Sequence, residues 1–183
     1  DPMMDIQVLT PMHRGVTGAI NLNRKLQDMM NPDAKGLEFR EQWFRVGDKV
    51  MQQQNDYEKK VFNGDLGKIV NCDPKTKELF VQFEQDCVHY KANELEQLTL
   101  AYAITVHKSQ GSEYSAVIIP ITTHHYLMLQ RNLLYTAITR GKQLVVLIGT
   151  EAAIRKAVGN EGTTQRFTGL LHQLSELGAA PLF

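Results

Sequence analysis

The sequence predicts an α/β protein, in which a parallel-sheet domain (residues 1–42 and 98–183) is interrupted by a small antiparallel β-barrel (residues 43–97). Three observations support this prediction. The fully apolar runs SAVIIPI and QLVVLIGT are typical of strands buried in a parallel sheet, and helical patterns lie between and after them. The middle of the chain consists instead of short β-like runs separated by turn residues. After residue 98 strands and helices alternate again, so the barrel is an insertion.

Composition limits the possible functions. With 183 residues, 43% of them hydrophobic and 22% charged, the chain fits one or two ordinary globular domains. Twenty basic and twenty acidic residues cancel, which excludes a protein that coats nucleic acid with its whole surface. Cys72 and Cys87 lack CxxC spacing and are expected to be reduced thiols. No signal peptide or long apolar run occurs, so we expect a soluble cytoplasmic protein, and the start DPMMDIQVLT suggests a piece of a longer chain.

The first segment predicts a strand, a glycine loop and a helix. IQVLTPM is rich in residues that favour strands, and HRGVTG follows it with two glycines. Thr17 is the predicted N-cap of the helix, and Asn31-Pro32 is the predicted stop. The apolar positions between them recur at helical spacing: Ala19, Leu22, Leu26 and Met29.

The central segment predicts an SH3-like barrel. Turn chemistry is present at Asn63-Gly64-Asp65 and Asp73-Pro74, because glycine takes positive φ freely and proline presets φ. The β-like runs between such turns are DKVMQQ, LGKIV, ELFVQF and CVHYKA. Strands this short and this close together indicate a small antiparallel barrel.

The last segment returns to alternating strands and helices. LTLAYA predicts a strand or strand end, AITVHKSQ a short helix that Gly111 terminates, and SAVIIPI a buried strand. LMLQRNLLYTAITR has helical period, QLVVLIGT is a second buried strand, and EAAIRKAVGN is another helix. From Glu161 onward the sequence predicts a polar loop and a short terminal helix.

The helix LMLQRNLLYTAITR ends in a candidate phosphate-binding arginine. Asn132, Thr136 and Arg140 share one face, and the other face is apolar, with Leu129, Leu133, Ala137 and Ile138. A permanently charged, planar guanidinium next to a glycine is suited to a phosphate whose negative charge grows in a transition state. Alternatively, Arg140 only complements the helix dipole.

The stretch AITVHKSQGSEY concentrates polar groups between two apolar runs. Its hydrogen-bond donors are Thr105, His107, Lys108, Ser109 and Gln110. Such groups at the end of a buried strand are suited to binding phosphate, and Glu113 can accept a hydrogen bond from a ribose hydroxyl. Taken singly, His107 also fits a structural histidine, and Lys108 a solvated surface charge.

Three segments resemble the motifs of superfamily 1 helicases, in the order of that family. VLTPMHRGVTGAINLNRKLQ resembles the motif IV region, LAYAITVHKSQGSEYSAVIIP resembles motif V, and RNLLYTAITRGKQLVVLIG resembles motif VI. The intervening FRVGDKVMQQQNDYEKKVFNGDLG is most similar to RecD-like helicases of the exodeoxyribonuclease V alpha-subunit type. The resemblance extends over nearly all residues up to Thr150.

This resemblance implies a RecA-like second motor domain of an ATP-dependent DNA helicase, with an inserted SH3-like subdomain. ATP with Mg²⁺ would bind between this domain and an upstream RecA-like domain of the same protein. The enzyme would move along single-stranded DNA, in the 5′-to-3′ direction, in repair or recombination. Nuclease subunits are possible partners.

The same resemblance implies residue roles. Arg140 is similar to the arginine finger at the γ-phosphate and Arg14 to a second arginine on that phosphate, unless Arg14 only caps a neighbouring carbonyl. Gln110, Gly111 and Glu113 are similar to the nucleotide contacts of motif V. The part of motif V that faces DNA would comprise Thr105, His107, Lys108 and Ser109.

Two elements of an ATPase are missing from the sequence. It contains no GxxxxGK[ST] loop and no strand ending in paired acidic residues that would bind Mg²⁺. We therefore expect no metal ligands in this chain and no ATP hydrolysis by the chain alone. Two alternatives stay open: a non-catalytic DNA-binding or protein-interaction module, and the helicase part of a relaxase or a Pif-type enzyme.

Overall fold

The computed structural model describes residues 2–84, 86–122 and 130–160. Helices and strands alternate at both ends of this range, and strands dominate its middle. In chain order the elements are α1 (Pro2–Asp5), β1 (Ile6–Thr10), α2 (Ala19–Met30), β2 (Gly36–Phe39), β3 (Gln42–Arg45), β4 (Lys49–Gln52), β5 (Leu66–Asp73), β6 (Glu78–Gln82), β7 (Cys87–Tyr90), a 3₁₀ turn (Leu95–Gln97), β8 (Leu98–Leu100), β9 (Ala103–Thr105), a second 3₁₀ turn (Val106–Ser109), β10 (Tyr114–Ile121), α3 (Arg131–Ile138), β11 (Gly141–Gly149) and α4 (Glu151–Gly159).

A four-stranded parallel sheet forms the α/β part, with the strand order β11-β10-β1-β9. Apolar side chains of these strands, with α3 and α4, form one hydrophobic core. The prediction that QLVVLIGT is a buried strand is wrong in one respect. The corresponding β11 lies at the end of the strand order, and its Leu144 and Ile148 are each 55% exposed. An outermost strand has a neighbour on one side only, so apolar composition alone does not bury it.

The inserted part is a five-stranded antiparallel sheet with the order β7-β6-β5-β4-β8, accompanied by the β2-β3 hairpin. Leu37 and Phe44 of the hairpin are buried in the hydrophobic core of the insert. This hairpin crosses the domain boundary placed at residue 43, and the boundary itself stays a prediction. Gly64 takes a φ of +102° in the turn that leads into β5, as its turn chemistry predicts.

Helix α2 begins and packs differently from the prediction. Thr17 is not its N-cap; Gly18 holds that position, and the first amide groups donate to backbone carbonyls, Ala19 N to Met12 O at 2.9 Å and Ile20 N to His13 O at 3.2 Å. The compact loop before the helix thus replaces a side-chain cap. The helix ends at Met30, directly before the predicted Asn31-Pro32 stop.

The buried face of α2 is mostly polar. Ala19, Asn23 and Gln27 are its buried residues, whereas Met29, predicted on the apolar face, is 79% exposed. Hydrogen bonds to the rest of the chain, described below, compensate for burying these amides.

The polar stretch near residue 105 also differs from the prediction. Ala103–Thr105 is a strand rather than the start of a helix, and a 3₁₀ turn follows it. Gly111 has a φ of +85° just after that turn, in agreement with its predicted terminating role. Helix α3 begins at Arg131. Leu129 of its predicted apolar face lies outside the described residues, as does the segment predicted from Glu161 onward.

Both cysteines are free thiols, Cys72 buried and Cys87 exposed. Among the described residues, no helix has the length and apolar character needed to span a membrane.

Candidate functional site

Strands β1 and β9 end side by side and bring two candidate groups together. Thr10 pairs with Thr105 in the parallel register, so the loop carrying Arg14 and the turn carrying His107 leave the sheet at the same edge. We call this the carboxyl edge. Arg14 and His107 are both exposed there. A cation and an imidazole at the surface are available to a phosphate backbone.

The other candidates lie where β10 and β11 begin, which we call the amino edge. Tyr114 pairs with Gly141 in this register, and the residues immediately before each of them are Glu113 and Arg140. Tyr114 N also donates to Arg140 O at 2.8 Å. The two segments of motifs V and VI are therefore held together by backbone contacts at this edge.

Arg140 is partly buried and its guanidinium is held in place. Its Nε donates to Thr136 O at 3.2 Å, and one terminal nitrogen donates to Ser112 O at 3.2 Å. Thr136 belongs to α3 and Ser112 to the segment before β10, so the side chain bridges the two motifs. An arginine has five N–H donors, and among the described residues these bonds leave several available to a ligand.

Glu113 lies beside a cation that the sequence analysis did not select. Its carboxylate is 3.1 Å from Lys142 Nζ, and both side chains are more than half exposed. An exposed pair of this kind contributes little to stability and can open to accept a ligand. No spacing rule identifies Lys142, because the pairing depends on the register of β10 and β11.

The turn after β9 connects the two edges. Thr105 Oγ1 accepts a hydrogen bond from Lys108 N at 3.4 Å and so caps the turn. Lys108 Nζ donates to Gln53 Oε1 at 2.5 Å, and partial burial lowers the pKa of this lysine. Gln53 follows β4, so Lys108 links motif V to the inserted sheet. This contact depends on the position of the insert and cannot be predicted from residue type or spacing.

Ser109 differs from the other polar residues of the turn. It is fully buried, and its hydroxyl donates to Val106 O at 2.7 Å. In this conformation Ser109 presents no surface to DNA, and its predicted DNA contact would require the turn to open. Gln110 and Gly111 are exposed and lie between the two edges.

A cavity of about 350 Å³ lies between this turn and α3. Polar and apolar side chains both line it: Val106, His107, Gln110, Gln130, Asn132, Leu133 and Thr136. Asn132 and Thr136, which the sequence places on one helix face, thus meet the polar side of motif V. Among the described residues, no group of three or more His, Cys, Asp or Glu side chains is arranged to hold a metal ion.

The structure does not bring Arg14 and Arg140 together. Arg14 follows the end of β1, whereas Arg140 precedes the start of β11, and the strands run in the same direction. An eight-residue strand such as β10 separates its two ends by roughly 20 Å. That Arg14 and Arg140 bind the same phosphate, as the motif resemblance implies, stays a prediction.

Two family models match the chain. The model of the ATP-dependent RecD-like DNA helicase SH3 domain matches residues 22–83. The model of the UvrD-like helicase C-terminal domain matches residues 100–148. The first match covers most of α2, the β2-β3 hairpin and strands β4 to β6 of the insert, and the second covers β9, β10, α3 and nearly all of β11.

Curated relatives agree with these matches. The ATP-dependent RecD2 DNA helicase of Deinococcus radiodurans is 38% identical over 169 residues, which is 92% of this chain and 23% of the relative. The RecBCD enzyme subunit RecD of Mycolicibacterium smegmatis is 30% identical over 172 residues, 94% of this chain and 30% of the relative. The chain therefore spans less than a third of the length of these relatives.

A solved structure shares the fold. The crystal structure of Bacteroides Pif1 bound to single-stranded DNA has a TM-score of 0.58 and 19% identity, covering 95% of this chain and 46% of that chain. Together with the family matches, it confirms the predicted fold class, a RecA-like α/β domain with an SH3-like insert.

Proposed function

We propose, since the chain is a C-terminal fragment of a RecD-like DNA helicase, that the full-length protein couples ATP hydrolysis to movement along single-stranded DNA and to duplex unwinding. By analogy with the motif resemblance, movement is 5′-to-3′. The observation that supports this most is the separation of the candidates. Arg140 and Glu113 lie at the amino edge, Thr105 and His107 at the carboxyl edge, and one short segment joins them.

At the amino edge, Arg140 would stabilise the negative charge that develops on the γ-phosphate during hydrolysis. A guanidinium already oriented by two backbone carbonyls needs little reorganisation when that charge appears. Glu113, paired with Lys142, would accept a hydrogen bond from the nucleotide, with Gln110 and Gly111 beside it. These residues would form the trans half of a nucleotide site.

At the carboxyl edge, Thr105, His107 and Lys108 would contact DNA phosphates. The net charge of the chain is zero, so such binding must rest on a few local groups rather than on a broad basic surface. Ser112, just after the turn, accepts a hydrogen bond from Arg140, and Lys108 of the turn donates to Gln53 of the insert. A change of nucleotide state at Arg140 would therefore reach the DNA contacts through this segment.

The remaining catalytic parts belong to a part of the protein outside this sequence. We infer that an upstream RecA-like domain supplies the phosphate-binding loop, the Mg²⁺ ligands and the residue that orients water. The fragment alone would bind nucleotide weakly and would not hydrolyse it. Because one relative is a subunit of the RecBCD enzyme, nuclease subunits are candidate partners, and DNA repair or recombination is the proposed process.

Replacing Arg140 in the full-length protein tests this function. We expect Arg140→Ala to lower the DNA-stimulated ATP turnover by at least about a hundredfold, while nucleotide binding is largely retained, because an arginine finger acts mainly in the transition state. Arg155→Ala is the matched control, since Arg155 is an exposed arginine on α4 that forms an ion pair with Glu151. Turnover that stays the same in both variants would exclude the finger role.

A further inference from the structure

The chain enters the five-stranded sheet of the insert at residues 45–49 and leaves it at residues 101–103, and these two crossings are joined by buried polar contacts. We propose that Asp48 is a positioning residue that locks the SH3-like insert to the RecA-like domain, so that the two turn as one rigid body. The proposal rests on the proposed function for its effect on unwinding. The geometry of the junction stands independently of that function.

Asp48 is completely buried and its carboxylate accepts four hydrogen bonds. The donors come from α2, from the entry to the insert and from its exit: Gln27 Nε2 at 2.5 Å, Asn31 Nδ2 at 2.8 Å, Arg45 N at 2.7 Å and Tyr102 Oη at 2.8 Å. A carboxylate is costly to bury unless its lone pairs are satisfied, and here each donor comes from a different residue. One side chain thus joins three segments of the fold.

The polar face of α2 extends this junction. Asn23 and Gln27 lie at i and i+4 on one face of the helix, where a surface helix usually places apolar residues, and Asn31 is its C-cap. Asn23 exchanges two hydrogen bonds with the backbone of Ala103, Nδ2 to O at 2.8 Å and N to Oδ1 at 2.8 Å. Directional bonds fix the orientation of the exit segment more narrowly than apolar packing would.

A second layer of buried contacts holds the entry. The Nζ of Lys49 donates to Met3 O at 3.0 Å and to Ile6 O at 3.2 Å, at the start of β1. Gln7 Nε2 donates to Ala101 O at 3.0 Å. Burial lowers the pKa of Lys49 to about 8, so the ammonium remains charged at neutral pH. The first strand of the sheet is therefore tied to both crossings.

The two hydrophobic cores also interlock at this place. Met51 of the insert packs in the core of the parallel sheet, and Tyr102 packs in the core of the insert. At the far side of the junction, Gln53 of the insert accepts the hydrogen bond from Lys108. Rotation of the insert would break this contact with the turn after β9, which is proposed to contact DNA. The junction therefore keeps the insert and this turn in a fixed relative position.

Distance measurement between two spin labels in the full-length protein tests the proposal. One label is placed on Cys87, which is exposed on β7, and the other on Glu151→Cys, which is exposed on α4, with other cysteines removed. We expect a single narrow distance distribution for this parent protein. Asp48→Asn replaces one carboxylate oxygen with an NH₂ group, which would face other hydrogen-bond donors. We expect this variant to broaden the distance distribution. Asp33→Asn, an exposed aspartate beyond α2, is the control and should not broaden it.

The same variants are then assayed for activity. We expect Asp48→Asn to slow duplex unwinding by about tenfold while DNA-stimulated ATP turnover changes less than about twofold, because misplaced parts weaken coupling more than chemistry. Tyr102→Phe removes one of the four bonds without changing shape and should give an intermediate broadening. That variant decides the question if Asp48→Asn does not fold.

Unchanged distance distributions in a folded Asp48→Asn or in Tyr102→Phe would overturn the proposal. Broadened distributions in a protein that shows no unwinding at all would instead contradict the proposed helicase function and leave the junction role intact. A parallel fall of ATP turnover and unwinding in Asp48→Asn would contradict a positioning role.

Discussion

The two edges of the parallel sheet differ in how their polar side chains are held. At the amino edge, Arg140 is partly buried and its guanidinium is held by two backbone carbonyls. At the carboxyl edge, Arg14 and His107 are exposed at the surface. A donor that is already held in place can stabilise a transition state, because it need not reorganise when charge develops. Exposed polar and cationic side chains are instead suited to a phosphate backbone that moves along the protein surface. The difference supports separate roles for the two edges.

Replacing Arg14 is the strongest test of the proposed difference between the two edges. Because it lies at the carboxyl edge, we expect Arg14→Ala to weaken single-stranded DNA binding about tenfold and to reduce the salt dependence of binding by about one phosphate contact. ATP turnover at saturating DNA should change only a few-fold. Binding titrations at several salt concentrations and steady-state ATPase assays measure both. Arg24→Ala, an exposed arginine on α2, is the control.

The opposite result for Arg14 would be equally informative. A loss of turnover comparable to that of Arg140→Ala, with DNA affinity unchanged, would place Arg14 on the nucleotide, as the motif resemblance implies. The two edges would then approach one another in a conformation different from this one.

Glu113 should give a smaller effect, confined to the nucleotide. Glu113→Gln keeps a hydrogen-bond acceptor but loses its charge, so we expect the KM for ATP to rise roughly three- to tenfold, because a hydrogen bond to a charged acceptor is stronger than one to a neutral acceptor by about 1 kcal/mol. DNA affinity without nucleotide should not change. Glu151→Gln, an exposed glutamate on α4, is the matched control. An altered DNA affinity with a normal KM would contradict the assignment of Glu113 to the amino edge.

Most of the fold could be predicted from the sequence, because apolar runs and turn residues carry local information. SAVIIPI is β10, and the stop after Met30 is where Asn31-Pro32 places it. The predictions are wrong where contacts between segments distant in the sequence determine the local structure. Thr17 is not the cap because the preceding loop supplies carbonyls, and the polar residues of α2 are buried because Asp48 and Ala103 meet them.

The candidate site was predictable as a set of residues but not as an arrangement. Two segments stand out in the sequence as candidates for the site, because their polar side chains are unusual in an apolar context. They are the stretch from Thr105 to Glu113 and the helix ending near Arg140. Their partners Lys142 and Gln53 do not stand out, since each depends on strand register or on the position of the insert. The burial of Ser109 also follows from the turn rather than from residue type.

Coupling between the two edges is tested most directly by measuring single-stranded DNA affinity of the full-length protein with no nucleotide and with ADP-aluminium fluoride, in the parent and in Arg140→Ala. We predict that the nucleotide changes the parent's DNA affinity by about tenfold, a typical coupling between linked sites. In Arg140→Ala the change should fall below about twofold while the nucleotide-free affinity stays the same. An Arg140→Ala protein that binds the nucleotide and retains the full change in DNA affinity would contradict the account.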